Sequence, residues 1–180
     1  MFMRSYGRIR KLVFLVIVCL GVATTVTYAG DWEFYHYLEQ FGMPKQMDIK
    51  VYLKVGKRQK DGIIPLFVKD VALEEDSEGC RWLTAFREYC MDKTCTGDYH
   101  GSKKKGVPVK ERITSYIVDC AQKQYSTLGT EWYGFDGSSL GRSYWNPPPL
   151  KPDTDFPSEA DKTEEQLRKI LIYICNQYNK

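Results

Sequence analysis

Six cysteines and two histidines supply the thiol and imidazole chemistry of this 180-residue chain, and their spacing limits what they do. Cys90, Cys95 and His100 recur evenly. The gaps match none of the usual zinc spacings, and a closed site would need a fourth ligand such as Cys80 or Asp98. No Cys-x-x-Cys occurs, so neither a thioredoxin-type redox pair nor covalent haem attachment is encoded. With His36 and His100 as the only imidazoles, a multi-histidine metal centre is excluded. Neither histidine has a Gly-x-Ser-x-Gly, a His-Glu-x-x-His or a phosphate loop beside it in the sequence. Asp153, Asp155, Glu159 and Asp161 cluster ahead of an apolar-striped segment. They read as solvated acids favoured by the positive end of a helix, because the ligand pattern of a calcium loop is absent. The expectation is a chain without catalytic residues, metal or cofactor.

What the thiols do depends on the compartment, and the first 29 residues bear on that. Arg4, Arg8, Arg10 and Lys11 precede an unbroken apolar run from Leu12 to Ala23, with small residues at Thr27 and Ala29. This is the pattern of a secretory signal peptide cleaved after Ala29. The run is shorter than the roughly 20 residues a spanning helix needs, so an uncleaved anchor is the lesser reading. Cys19 lacks the small preceding residue that lipid attachment requires. Removing residues 1–29 subtracts four basic residues and no acidic one, and the formal charge moves from +3 to −1. A general nucleic-acid-binding role does not survive that change. Lys103, Lys104 and Lys105 remain as a local basic cluster and read as a solvated loop.

Export places Cys80, Cys90, Cys95, Cys120 and Cys175 where thiols oxidise. Five cannot all pair within one chain. Thr114, Tyr116, Val118 and Cys120 alternate on one face of a strand spanning Arg112 to Cys120, and Cys175 lies on the apolar stripe of a terminal helix. A Cys120–Cys175 bridge would pin that helix to the sheet. Nearer the middle, a Cys90–Cys95 or a Cys80–Cys90 bridge would hold a loop-rich excursion at about 74–106, within which Arg81 to Tyr89 reads as a strand or one short helix.

The remaining elements follow from alternation and turns. Trp32 to Leu38 opens a strand. Ile49, Val51, Leu53 and Val55 face one way while Lys50, Tyr52 and Lys54 face the other, and Ile63 to Leu73 is the next strand, with Pro65 favouring an early or edge position. Gln124–Tyr133 and Ser138–Tyr144 flank Phe135-Asp136-Gly137, where Asp-Gly supplies positive φ for a tight hairpin. The prolines at 147–149 carry an extended crossing. Leu167, Ile170, Leu171, Ile174, Cys175 and Tyr178 form the stripe of the last helix, with Thr163 and Gln166 as a capping pair. Together these predict an α+β domain over residues 30–180: a small antiparallel sheet packed against a C-terminal helix, stabilised by disulfides.

The order Tyr116-Ile117-Val118-Asp119-Cys120, then Trp132-Tyr133-Gly134-Phe135-Asp136-Gly137, then Ser143-Tyr144-Trp145, then Leu171 to Cys175 resembles the bacterial surface-adhesin protein E-like family. The resemblance covers Arg112 to Cys175 well and Trp32 to Leu73 loosely, and Glu74 to Gly106 departs from it. It implies the same small sheet backed by a helix, and adhesion to a protein partner with a possible homodimer. We therefore expect an exported, non-catalytic, adhesin-like binding domain of the periplasm or cell exterior, engaging a protein partner. The alternative is a periplasmic structural or assembly subunit joined through the odd cysteine or a sheet edge. Thirteen tyrosines and four tryptophans suit an interface, and Tyr99, Lys103, Lys104, Lys105 and Trp145 are the candidate contact positions.

Overall fold

The computed structural model describes residues 31–39, 46–93, 95, 97–158 and 164–178. Residues 1–29, expected from the sequence to be a signal peptide, and Glu159, Asp161 and the proposed cap residue Thr163 lie outside these. The described chain runs β1 (Glu33–Glu39), β2 (Gln46–Val55), β3 (Ile64–Ala72), α1 (Glu78–Asp92), β4 (Asp98–Gly101), β5 (Glu111–Asp119), β6 (Gln124–Tyr133), β7 (Ser139–Tyr144), β8 (Thr154–Asp155) and α2 (Glu165–Tyr178). The strands form one antiparallel sheet in the order β1-β2-β3-β5-β6-β7-β4, with β8 also paired to β6. The α+β class and the antiparallel sheet with its C-terminal helix are as expected from the sequence.

Alternation on β2 decides where the helices go. Val51 and Leu53 are buried with Ile170, Leu171, Ile174 and Cys175 of α2, and Ile49 is buried with Cys80, Leu83 and Cys90 of α1. Residues 49, 51 and 53 share one strand face, so both helices cover the same face of the sheet, each over its own core. Burying Ile170, Leu171 and Ile174 contributes roughly 1.5–3 kcal/mol apiece. The bridge Cys120–Cys175, with Cα atoms 5.3 Å apart, ties α2 to the end of β5.

The middle of the chain departs from expectation. Residues 78–92 form a full α-helix of 15 residues, and residues 98–101 form an edge strand beside β7. Ser77 caps α1, its Oγ accepting from the Cys80 amide at 3.1 Å. The buried positions Cys80, Leu83, Arg87 and Cys90 recur at helical spacing, but an arginine occupies the stripe and hides the period. Arg87 is fully buried. Its guanidinium donates to the carbonyls of Ser102 at 2.5 Å, Lys104 at 3.2 Å and Leu140 at 3.2 Å, which fastens the following loop and β7 to the helix. Cys90–Cys95 closes the helix end, with Cα atoms 5.2 Å apart.

The hairpin between β6 and β7 differs in detail. Only Gly137 takes a positive φ, +78°; Asp136 does not. The Gly137 amide donates to Gly134 O at 3.0 Å and the Gly134 amide to Ser138 O at 2.9 Å, so the connection is a three-residue loop with glycine in the left-handed position. Pro65 sits early in β3, as its missing N–H requires, but β3 is a central strand.

Cys175→Ser is expected to lower the urea midpoint by an amount equivalent to roughly 2–4 kcal/mol, because the lost bridge spans 55 residues. Far-UV circular dichroism of the variant should stay unchanged at low urea. An unaltered midpoint would mean that α2 is held by apolar packing alone.

Candidate binding surface

With both helices on one side, the other side of the sheet carries the remaining chemistry. Cross-strand partners place Phe34, Tyr52, Lys69, Ile113, Glu131, Arg142 and His100 in one continuous row from edge to edge. At about 4.8 Å per strand the row is close to 30 Å long. A neighbouring row runs Lys54, Phe67, Ser115, Gly129, Tyr144. Phe67 in this row, and Ile117 in the next row beside Pro65, are buried.

At the β1–β3 end, Phe34 meets Tyr52 edge-on with centroids 5.7 Å apart and is 47% exposed. Lys69 Nζ lies 4.6 Å from the Trp32 ring centre and 5.2 Å from that of Tyr52. This is cation–π geometry, and it holds the ammonium group over aromatic rings.

At the opposite end His100, Glu131, Tyr133, Ser139 and Arg142 line a depression of about 260 Å³. The Tyr133 hydroxyl donates to Glu131 at 2.6 Å. That hydrogen bond to the neutral phenol, reinforced by burial, raises the Tyr133 pKa to about 12. The Arg142 guanidinium lies 5.0 Å from the Tyr144 ring centre, and His100 stacks on the same ring at 5.0 Å. Gly137-Ser138-Ser139-Leu140-Gly141 is a Gly-x-Ser-x-Gly that the reading around the histidines passed over, and folding brings its Ser139 into the depression with His100. The motif here turns a β-hairpin rather than a strand into a helix, so it builds no nucleophile elbow. His100 stacks on the Tyr144 ring, and Glu131 accepts from the Tyr133 hydroxyl.

The residues singled out from the sequence are dispersed. Tyr99 points inward: its ring lies 5.7 Å from that of Trp132, and its hydroxyl is within reach of Leu140 O at 2.9 Å and Ser102 O at 3.0 Å. Lys103 and Lys104 are exposed, while Lys105 pairs with Asp92 at 2.6 Å. Trp145 is 44% exposed beyond the end of β7. Asp153, from the acidic cluster, accepts from Ser126 Oγ at 2.6 Å and is held below the usual carboxylate range by that bond. The open-face row was not anticipated, although the alternation of Lys50, Tyr52 and Lys54 signalled it.

Cys80 is the unbridged cysteine and is 2% exposed beneath α1, where burial pushes its thiol pKa up. A covalent link to another chain through this thiol would require α1 to open. Cys90 and Cys95 are bonded to each other, and the described residues contain no group of three or more His, Cys, Asp and Glu arranged to take a metal ion. No described helix is long and apolar enough to cross a membrane. The two bridges fit an oxidising compartment. Comparison with known proteins yields no match: no protein family, no curated protein and no solved structure is similar to the chain.

Native protein is expected to leave Ellman's reagent almost unreacted at Cys80 and to titrate one thiol in guanidinium; rapid native reaction would show that α1 opens readily. Alkali gives a second check. Burial raises Tyr116, and the Glu131 bond raises Tyr133, to about 12 in the folded chain. An unfolded tyrosine ionises near pH 10, so through the window from about 10 to 12 the folded chain retains protons that the unfolded chain has lost. Stability should therefore fall as pH rises through that window. Tyr116→Phe and Tyr133→Phe should each reduce the slope in urea titrations, and an unchanged slope in both would contradict the assignment.

Proposed function

We infer that this is an exported, non-catalytic, adhesin-like binding domain that engages a protein partner at the cell envelope or outside the cell, through the open face of its sheet. The observation that carries the reading is the one-sided placement of α1 and α2, which leaves a row of aromatic and charged side chains across seven strands. Aromatic residues and arginine are the side chains that concentrate in protein interfaces. The leader-like residues 1–29 and the two bridges support export, and the resemblance to the surface-adhesin protein E-like family supports adhesion.

A non-catalytic role is supported by the dispersion of reactive groups. His36 on β1 and His100 on β4 stand at opposite edges of the sheet. In the depression that holds Ser139, Glu131 accepts from Tyr133, and the Gly-x-Ser-x-Gly turns a hairpin instead of opening a helix. A hydrolase needs a nucleophile, a base and an orienting group in register with one another. Burial of Cys80 removes the thiol that favoured a covalently joined assembly subunit.

A photo-crosslinking residue placed at Ile113 on the open face, and separately at Ile172 on the exposed side of α2, tests the reading in the native envelope fraction. We expect a discrete protein adduct from position 113 and none from 172, with the 113 adduct lost when Phe34 is also changed to Glu and circular dichroism is unchanged. Adducts from position 172 alone, or from neither position, would overturn it.

A further inference from the structure

The depression between β4, β6 and β7 holds hydrogen-bonding capacity that the protein leaves open. Its polar lining comes from three strands: His100 from β4, Glu131 and Tyr133 from β6, Ser139 and Arg142 from β7. Among the described residues Arg142 forms no ion pair, and neither Ser139 nor His100 forms a side-chain hydrogen bond. Tyr133 takes Glu131 Oε2 and leaves Oε1. The Arg142 guanidinium lies 5.0 Å from the Tyr144 ring centre, and the His100 ring stacks on the same ring at 5.0 Å, so donors and acceptor are held in place before a ligand arrives. Gly101 and Gly141, partners across β4 and β7, complete the lining. A Cβ on Gly101 would come within 2.4 Å of the Gly141 Cα, so the two strands meet here on bare backbone.

Charge and size select the ligand. Arg142 and Glu131 are direct partners across β7 and β6, and Glu111 stands beside Tyr133 on β5. A sulfate, phosphate or carboxylate would gain Arg142 and meet both glutamates. A neutral ligand with several hydroxyls meets no such opposition: it accepts from Arg142 and Ser139, donates to Glu131 Oε1, and pairs with His100 in either sense. His100, Glu131, Ser139 and Arg142 are all exposed, where attraction between charges is screened, so several hydrogen bonds to hydroxyls favour a polyol over a dipolar amino acid. The volume of about 260 Å³ falls below the roughly 300–1,000 Å³ that encloses a drug-sized molecule, which limits the ligand to one ring. We propose that this depression binds a single neutral pyranose unit, free or at the end of a glycan. Its lining holds one carboxylate where glycoside hydrolysis uses two, so the role assigned is binding alone. This goes beyond the protein-engaging role of the open face, and crosslinking from Ile113 succeeds or fails independently of it.

The test titrates isotope-labelled protein with intact disulfides, read by amide chemical shifts, against glucose, galactose, mannose and N-acetylglucosamine and their methyl glycosides, with glycine and sodium sulfate as competing chemistries. Expected is binding of at least one sugar with a Kd of about 1–10 mM, with shifts concentrated in β4, the end of β6 and β7. Its affinity should be unchanged as salt rises from about 0.05 to about 0.3 M, because the ligand is neutral. Arg142→Ala and Glu131→Ala should each weaken it about tenfold, the loss of one hydrogen bond to a charged group. Ser139→Ala, with a smaller loss, provides a third position should either variant fail to fold. A methyl glycoside that binds more tightly than its free sugar identifies a glycan end as the source, and equal affinity a free sugar; both support the site. The inference is overturned by the absence of shifts from every sugar at about 50 mM, by shifts confined to other strands, by stronger shifts of the same residues with glycine or sulfate, or by full affinity in the substituted proteins.

Discussion

A wide antiparallel sheet has two faces, and this chain provides helices for one. The alternation of β2 sets that inequality: Ile49, Val51 and Leu53 are buried against α1 and α2, while Lys50, Tyr52 and Lys54 turn the other way. Antiparallel sheets tolerate a solvated face because their connections are short hairpins that need no crossover helix on the far side. Both helices then compete for the same surface and divide it. α2 takes the end with Leu66, Val118 and Tyr125, and α1 takes the end with Ala72, Trp132 and Leu140.

Between the two cores the covered face is polar, and its groups satisfy one another. Asp70, 2% exposed, receives Arg112 through Nε at 2.8 Å and Nη2 at 2.6 Å. The same guanidinium lies 4.8 Å from the ring centres of Trp82 and Phe86, so a residue of β5 is held between a strand neighbour and the outer side of α1. A buried ion pair is weak evidence of net stability, since desolvation offsets much of the attraction, but losing one partner leaves an uncompensated charge. Here the pair joins β5 to β3, and it is the stacking of Arg112 on Trp82 and Phe86 that reaches α1. Arg87 does the same for the other side of α1 using only carbonyl acceptors. The second core is therefore small in apolar volume and is positioned largely by two arginines and the Cys90–Cys95 bridge.

This construction explains which parts of the fold were legible. β2, β5, the β6–β7 hairpin and α2 each carry their period in apolar residues, and the Cys120–Cys175 bridge followed from placing both cysteines on facing surfaces. α1 was hidden because its inward stripe is Cys80, Leu83, Arg87 and Cys90, in which only one residue is an ordinary core side chain. The partners of Arg87 are backbone carbonyls, as many as 53 residues away, and carry no side-chain signature. Tyr99 looked like a surface residue of a glycine-rich loop. Folding sets its hydroxyl over the bare Cα of Gly141, where a Cβ would come within 2.3 Å. The surface row was unreadable for a different reason: each strand shows its own alternation, but which residues stand side by side across seven strands depends on registers that include bulges in β1 and β6.

Register also links the core to the surface chemistry. Side chains repeat every two residues along a strand, so a slip of one residue at β2 would expose Val51 and Leu53 and bury Tyr52 and Lys54. The free energy that buries the apolar set is thus the same free energy that presents the lysines and rings, and no separate device is needed to hold them outward. Polar substitutions on the open face therefore change that surface with little effect on folding, whereas core substitutions that shift the register would change the fold and the surface together.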